Sequence, residues 1–139
     1  MQKINTTRIG ASYEYWLASE LLKRGLWVSI PLVDTGVDLL VHNDDYSQTV
    51  AIQVKYKKDE KNIFLRGRES DSYEKKNVIL AYFLKDAKYY IPMKEFLRLA
   101  VRNENRKDKA VCITVKDHRV ELSKFEGDSG LDKLVASMA

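Results

Sequence analysis

Cys112 is the only cysteine of the chain, which excludes an internal disulfide and any cysteine-rich zinc site. Its setting, Ala110-Val111-Cys112-Ile113, reads as strand core, so the thiol is expected to pack rather than react. Prolines number only two, and no stretch rich in proline or glycine marks a linker. Internal repeats and low-complexity tracts are also lacking. No apolar run approaches the ~20 residues that cross a bilayer. The opening Met1-Gln2-Lys3-Ile4-Asn5-Thr6-Thr7-Arg8 has no apolar signal core behind it. These absences predict one compact domain over 1–139, no membrane partner and a reducing cytoplasm.

What is present fits a globular chain. Hydrophobic residues make up 45% and charged residues 32% of 139 residues, enough to bury a core. The net charge of +4 permits a polyanionic partner without requiring one. Cations crowd one stretch: Lys55, Lys57, Lys58, Lys61, Arg66, Arg68, Lys75 and Lys76. Acids at Asp59, Glu60, Glu69, Asp71 and Glu74 interrupt them, so the stretch is not a plain basic arm and reads first as a solvated face.

The patterning predicts a helix near 7–24, capped by Asn5, Thr6 or Thr7 and stopped by Gly25. Strands are expected at 27–33, 37–42 and 49–56. Asn62–Leu65 reads as a short strand followed by a mobile loop. Further strands are expected at 77–84 and 89–91, then a helix over 93–102 behind Pro92. A strand at 109–115 is expected to pair with one at 119–122, and a short helix closes the chain at 128–138. The order implies an α/β fold with a mixed β-sheet flanked by helices.

At three places polar residues sit where apolar ones are expected. Around the first helix, Gly10, Ala11, Leu17, Ala18, Leu21 and Leu22 lie within about 80° of Glu14, which puts a carboxylate on the burying face; Glu20 lies well off it, towards solvent. A buried carboxylate needs a cation, a metal or a hydrogen-bond partner. Asp38 opens the apolar strand Val37-Asp38-Leu39-Leu40-Val41. In Ile52-Gln53-Val54-Lys55-Tyr56, alternation places Gln53 and Lys55 on one face and the other three on the opposite face. The link Asn43-Asp44-Asp45-Tyr46-Ser47-Gln48 is rich in turn formers, so the two strands should form a hairpin. Symmetric folding about the Asp45–Tyr46 bond sets Asp38 opposite Gln53, with Lys55 one step further along that face. Directly opposed residues have Cβ atoms ~5 Å apart, close enough to share one ion.

Gly10-x-x-x-Glu14, Gly36-Val37-Asp38-Leu39-Leu40-Val41 and Ile52-Gln53-Val54-Lys55-Tyr56, in that order, resemble the PD-(D/E)xK nuclease superfamily, nearest to archaeal-type Holliday-junction resolvases and restriction-endonuclease-like proteins. The match covers roughly the first 57 residues. The resemblance implies a restriction-endonuclease-like fold and a divalent-metal-dependent endonuclease acting on DNA in junction resolution, restriction or repair. It implies Mg²⁺ or Mn²⁺ as cofactor and leaves a homodimer open. Asp38 would be the central metal ligand and Gln53 would take the second ligand position, with the Val54 carbonyl and Glu14 assisting. Lys55 would orient the attacking water or stabilise the charged transition state. Arg8, Lys57, Lys58, Lys61, Arg66 and Arg68 would then contact phosphates around the cleft. Gln53 stands where the superfamily usually has Asp or Glu, and Asp34 is a candidate compensating acid, though Asp34-Thr35-Gly36 also reads as a turn.

Other polar and aromatic residues read as structural. His42 shares the Asp38 face near the turn, and His118 falls in a turn. Trp16, Trp27, Tyr82, Phe83, Tyr89 and Tyr90 read as packing before base stacking. Two further readings remain open: a catalytically decayed nucleic-acid-binding module, suggested by Gln53, and a structural protein in which Glu14 and Lys55 form a buried ion pair.

Overall fold

A computed structural model describes residues 6–33 and 36–139. Helix α1 spans Thr6–Lys23 and buries Leu17, Ala18 and Leu21. Gly25 ends it at φ 92. The Gly25 N–H donates to Leu22 O at 3.0 Å and the Leu26 N–H to Leu21 O at 3.1 Å, the paired bonds of a Schellman cap, which glycine enters without strain. Of the expected N-terminal caps, Thr6 and Thr7 lie inside the helix, and Asn5 falls outside the described residues.

Strands β1 (Trp27–Ser29), β2 (Leu39–His42) and β3 (Thr49–Lys57) form an antiparallel meander. The chain then forms β4 (Ile63–Leu65) and α2 (Gly67–Lys76) before β5 (Ile79–Leu84). Strand β5 pairs parallel to β3, and β6 (Lys88–Pro92) pairs antiparallel to β5. The five-stranded mixed sheet has the order β1-β2-β3-β5-β6. Helix α3 (Met93–Leu99) leads to β7 (Val101–Arg102) and β8 (Val111–Ile113), which with β4 form a second sheet, β4-β8-β7. A 3-10 turn (Val115–Asp117), α4 (Arg119–Ser123) and α5 (Gly127–Ala136) complete the chain.

Alternation splits the five-stranded sheet into two apolar faces. Leu39, Val41, Ile52, Val54, Ala81 and Phe83 pack with Leu17 and Leu21 of α1 and with Leu131 and Leu134 of α5. Leu80, Tyr82, Leu84 and Ile91 pack on the other face with Ile63, Tyr73, Phe96 and Ile113. Helices therefore flank the mixed sheet, as the sequence predicts.

Several elements depart from expectation for identifiable reasons. Strand β1 stops at Ser29 because its β2 partners run only from Leu40 to His42; beyond it Leu32 and Val33 are exposed. The expected loop after β4 is helix α2. Helix α3 ends at Leu99, and Val101 and Arg102 instead pair with Cys112 and Val111. The expected strand at 119–122 is helix α4, since β4 and β7 already occupy both edges of β8. Glu126, not Asp128, is the N-cap position of α5.

Candidate functional site

The β2–β3 hairpin sets the geometry. Its turn is closed by Tyr46 N–H to Asn43 O at 3.1 Å and by Asn43 N–H to Gln48 O at 3.3 Å. The Asn43 side-chain oxygen also accepts from Gln48 N–H at 3.0 Å. Tyr46 takes the left-handed conformation that the turn demands. The register pairs Leu39 with Ile52, Leu40 with Ala51 and His42 with Thr49, the symmetric fold about Asp45–Tyr46. Asp38 and Gln53 are the next opposed positions beyond that ladder.

At Asp38 the ladder changes hands. The Asp38 N–H donates to Ile52 O at 3.0 Å, and its carboxylate Oδ2 accepts the Val54 N–H at 2.8 Å. The side chain thus replaces the backbone partner that β2 would have supplied to β3. Strand residues turn N–H and C=O to the same edge, so the Val54 carbonyl is directed to the Asp38 side as well.

Glu14 approaches from α1. It is partly buried, and burial first, then the neighbouring Asp38 charge, raise its pKa above the usual carboxylate value. A carboxylate whose ionisation is disfavoured by a neighbouring carboxylate gains from a cation between the two. Next to it in the chain, Tyr13 stacks on Tyr56 with ring centroids 4.5 Å apart, which fixes this turn of α1 against the end of β3. Glu20 is largely sheltered beside Lys23 and Arg24 rather than solvated.

Gln53 and Lys55 share the second face of β3, opposite Ile52 and Val54. Gln53 Oε1 is buried and lacks a hydrogen-bond partner among the described residues, a state that costs free energy unless a ligand relieves it. Lys55 pairs with Glu69 of α2 rather than with Glu14. The same Glu69 oxygen accepts from the Tyr73 hydroxyl at 3.4 Å, and its other oxygen accepts the Arg66 N–H at 3.2 Å. Burial works to raise the Glu69 pKa, but the Lys55 ammonium and these donors outweigh it and hold it below the usual value. Sequence reasoning missed Glu69; its signal was an acid four residues before Tyr73, the single large apolar residue of α2.

The donor set fits a divalent cation. Two mutually repelling carboxylates, an orphaned amide oxygen and a backbone carbonyl are hard oxygen ligands of the kind that Mg²⁺ and Mn²⁺ prefer. Among the described residues no group of three His, Cys, Asp or Glu residues is placed to hold a metal ion. Asp34 lies outside the described residues.

Arg8, Lys57, Lys58, Lys61, Arg66 and Arg68 are all exposed, but they do not form one ring. Lys57 and Lys58 line a groove with Ile9, Gly10 and Tyr56, between the start of α1 and the end of β3. Lys58 and Lys61 border a second depression with Arg119. Arg66 and Arg68 line a hollow beside α2. His42 bridges strands, Nδ1 lying 3.1 Å from Thr49 Oγ1 and Nε2 3.4 Å from Ser29 Oγ. His118 pairs with Glu121. Tyr82, Phe83, Tyr89 and Tyr90 are buried, whereas Trp27 is exposed. Burial raises the pKa of the Cys112 thiol, which disfavours thiolate chemistry.

The structure is similar to that of Hjc, a Holliday junction resolvase from the archaeal hyperthermophile Archaeoglobus fulgidus, with a TM-score of 0.58 and 22% sequence identity over 75% of this chain and 82% of that one. The fold is restriction-endonuclease-like. No protein-family model matches the chain, and no curated protein matches it. Among the described residues no helix is long and apolar enough to cross a membrane.

Proposed function

We propose that this protein is a divalent-metal-dependent endonuclease that hydrolyses phosphodiester bonds in DNA. The observation that carries the reading is the orphaned Gln53 Oε1 on the strand position opposite Asp38, with Glu14 close enough to feel the Asp38 charge. The resolvase of the same fold supports DNA as the substrate and makes a junction the first substrate to try.

Asp38, Gln53, Glu14 and the Val54 carbonyl would hold Mg²⁺ or Mn²⁺. Bound there, the ion would acidify water and neutralise charge on the phosphoryl group. The chain's own groups do the remaining work. The Val54 N–H fixes one Asp38 oxygen. Tyr13, beside Glu14 in the chain, stacks on Tyr56 and holds this part of α1 against β3. The Lys55 ammonium, steadied by Glu69, stands on the Gln53 face, where it can orient the attacking water and stabilise negative charge developing on phosphate oxygens. Lys57 and Lys58, at the end of β3 and exposed, would bind flanking phosphates.

A second reading, a DNA-binding module without cleavage, is favoured by one feature: position 53 supplies an amide where a third charge would tighten the metal. The test is incubation with four-way junction, linear duplex and single-stranded DNA in Mg²⁺, Mn²⁺ or chelator. Metal-dependent cutting of any of these supports the nuclease. Tight DNA binding without cutting in either metal selects the module.

A further inference from the structure

The outer face of α2 carries a feature that the proposed site leaves unused. A hollow of about 740 Å³ lies between α2 and the turn joining β7 to β8. Seven cationic side chains line it, from Arg66 just before α2 to Lys109 on the turn, against two acids, Asp71 and Asp108. That excess of five exceeds the net +4 of the whole chain, so all remaining surface together is close to neutral. The positive charge of this protein is concentrated here.

The hollow is built rather than incidental. The Gly67 N–H donates to Asp108 O at 2.9 Å. A Cβ at Gly67 would lie 2.9 Å from both Arg102 Nη1 and Lys109 O, so the turn sits against the helix with no room for a side chain. Asp71 pairs with Arg102 at 3.1 Å, and Asp108 with Arg106 at 2.9 Å. Arg66, Arg68, Lys75 and Lys107 have no acid partner among the described residues. Like charges held together in a fixed concavity create a potential that favours a polyanion.

We propose that this hollow binds the phosphodiester backbone of DNA at a second place, away from the bond being cut. The proposal rests on the reading that the Asp38 site acts on DNA, and it names where the uncut backbone is held. Helix α2 links the two places. Glu69 and Tyr73 point to Lys55, while Arg68, Asp71 and Lys75, about 120–180° around the helix from them, line the hollow. A helix with its side chains is roughly 10 Å across. Phosphates of one strand recur about every 3.4 Å along the axis of duplex DNA, so some three of them span the distance from one side of α2 to the other. Lipid and apolar peptides fit poorly, because none of the exposed large hydrophobic residues lines the hollow.

The experiment compares the parent with the double variant Lys75→Ala/Lys107→Ala, and with Lys94→Ala/Lys133→Ala as a charge-matched control on exposed positions outside the hollow. Binding to a duplex of about 20 base pairs is measured by fluorescence anisotropy in chelator across a salt series, beside binding to phosphatidylserine–phosphatidylcholine vesicles. Loss of two phosphate contacts should flatten the salt dependence, lowering the slope of log K against log salt by about two, and weaken low-salt affinity about tenfold or more. The control should keep the parent's slope. Equal losses in both variants, no loss in the hollow variant, or loss confined to vesicles would each overturn the proposal. Chelator removes cleavage from the measurement, so the hollow is scored even if the parent cuts nothing. A parent that cuts DNA beside an unaffected hollow variant would sink the hollow alone.

Discussion

Lys55 of β3 is paired with Glu69 of α2, so the ammonium that would face the reacting phosphate is held by a carboxylate from a different element. The neutral Gln53 cannot serve as the lysine's counter-charge, and Glu69 takes that place. Glu69→Gln should remove the pairing while keeping the shape. Single-turnover cleavage is expected to fall about tenfold with divalent-metal affinity unchanged. Stability should drop by no more than about 1 kcal/mol, as for a partly exposed pair. Glu69→Asp should recover part of the rate. A variant that cleaves at the parent rate would remove Glu69 from the account.

Much of the Asp38 site was legible in the sequence. The turn formers between Asn43 and Gln48 fixed the hairpin, and the hairpin fixed the opposition of Asp38 and Gln53. Alternation placed Gln53 and Lys55 together against Ile52 and Val54. Helix α2 was not legible because, of its ten residues, only Gly67, Ser70 and Tyr73 are buried; such a helix shows no apolar period and is held by tertiary contacts. Glu69 therefore went unseen. The strands that became β4 and β8 were legible, but their pairing into a second sheet was not, because β7, which completes it, has only two residues and falls where a helix was expected.

Substitutions at position 53 and its neighbour should separate metal binding from chemistry. Gln53→Glu adds a charge beside Asp38 and Glu14, so calorimetry should show tighter Mn²⁺ binding. The rate need not rise, since the new acid would compete with Glu69 for Lys55. Lys55→Ala should leave metal affinity near the parent's and reduce turnover by on the order of 10²- to 10³-fold. Unchanged metal affinity in Gln53→Glu would show that residue 53 is not a ligand.

Glu14 predicts a pH dependence of stability without metal. Its folded pKa lies above the ordinary 4.5, so between those two values the folded state holds more protons than the unfolded one. Stability should therefore fall as pH rises through that window and level off above the folded pKa. Glu69 acts in the opposite sense below 4.5, where protonation removes the benefit of its Lys55 pairing. Urea denaturation of the parent and Glu14→Gln from pH 4.5 to neutrality should give curves whose difference closes at high pH when Mg²⁺ is added. A difference that is flat with pH would contradict the assigned environment.

Gly36 introduces the loop before Asp38 at φ 75, and a Cβ there would come within 2.9 Å of Lys76 Nζ. Gly36→Ala should cost about 1–2 kcal/mol from the left-handed backbone alone. Thermal denaturation reads that cost, and a variant as stable as the parent would contradict it.

The central claim is that the Asp38 cluster cuts DNA with a divalent metal, and single-turnover cleavage by Asp38→Asn beside the parent tests it most directly. Both are run on four-way junction and linear duplex DNA in Mg²⁺ and in Mn²⁺, after circular dichroism has established that both are folded. The account predicts metal-dependent cutting by the parent and none by Asp38→Asn, because no other strand residue supplies that charge. Cutting by Asp38→Asn at the parent's rate would contradict it.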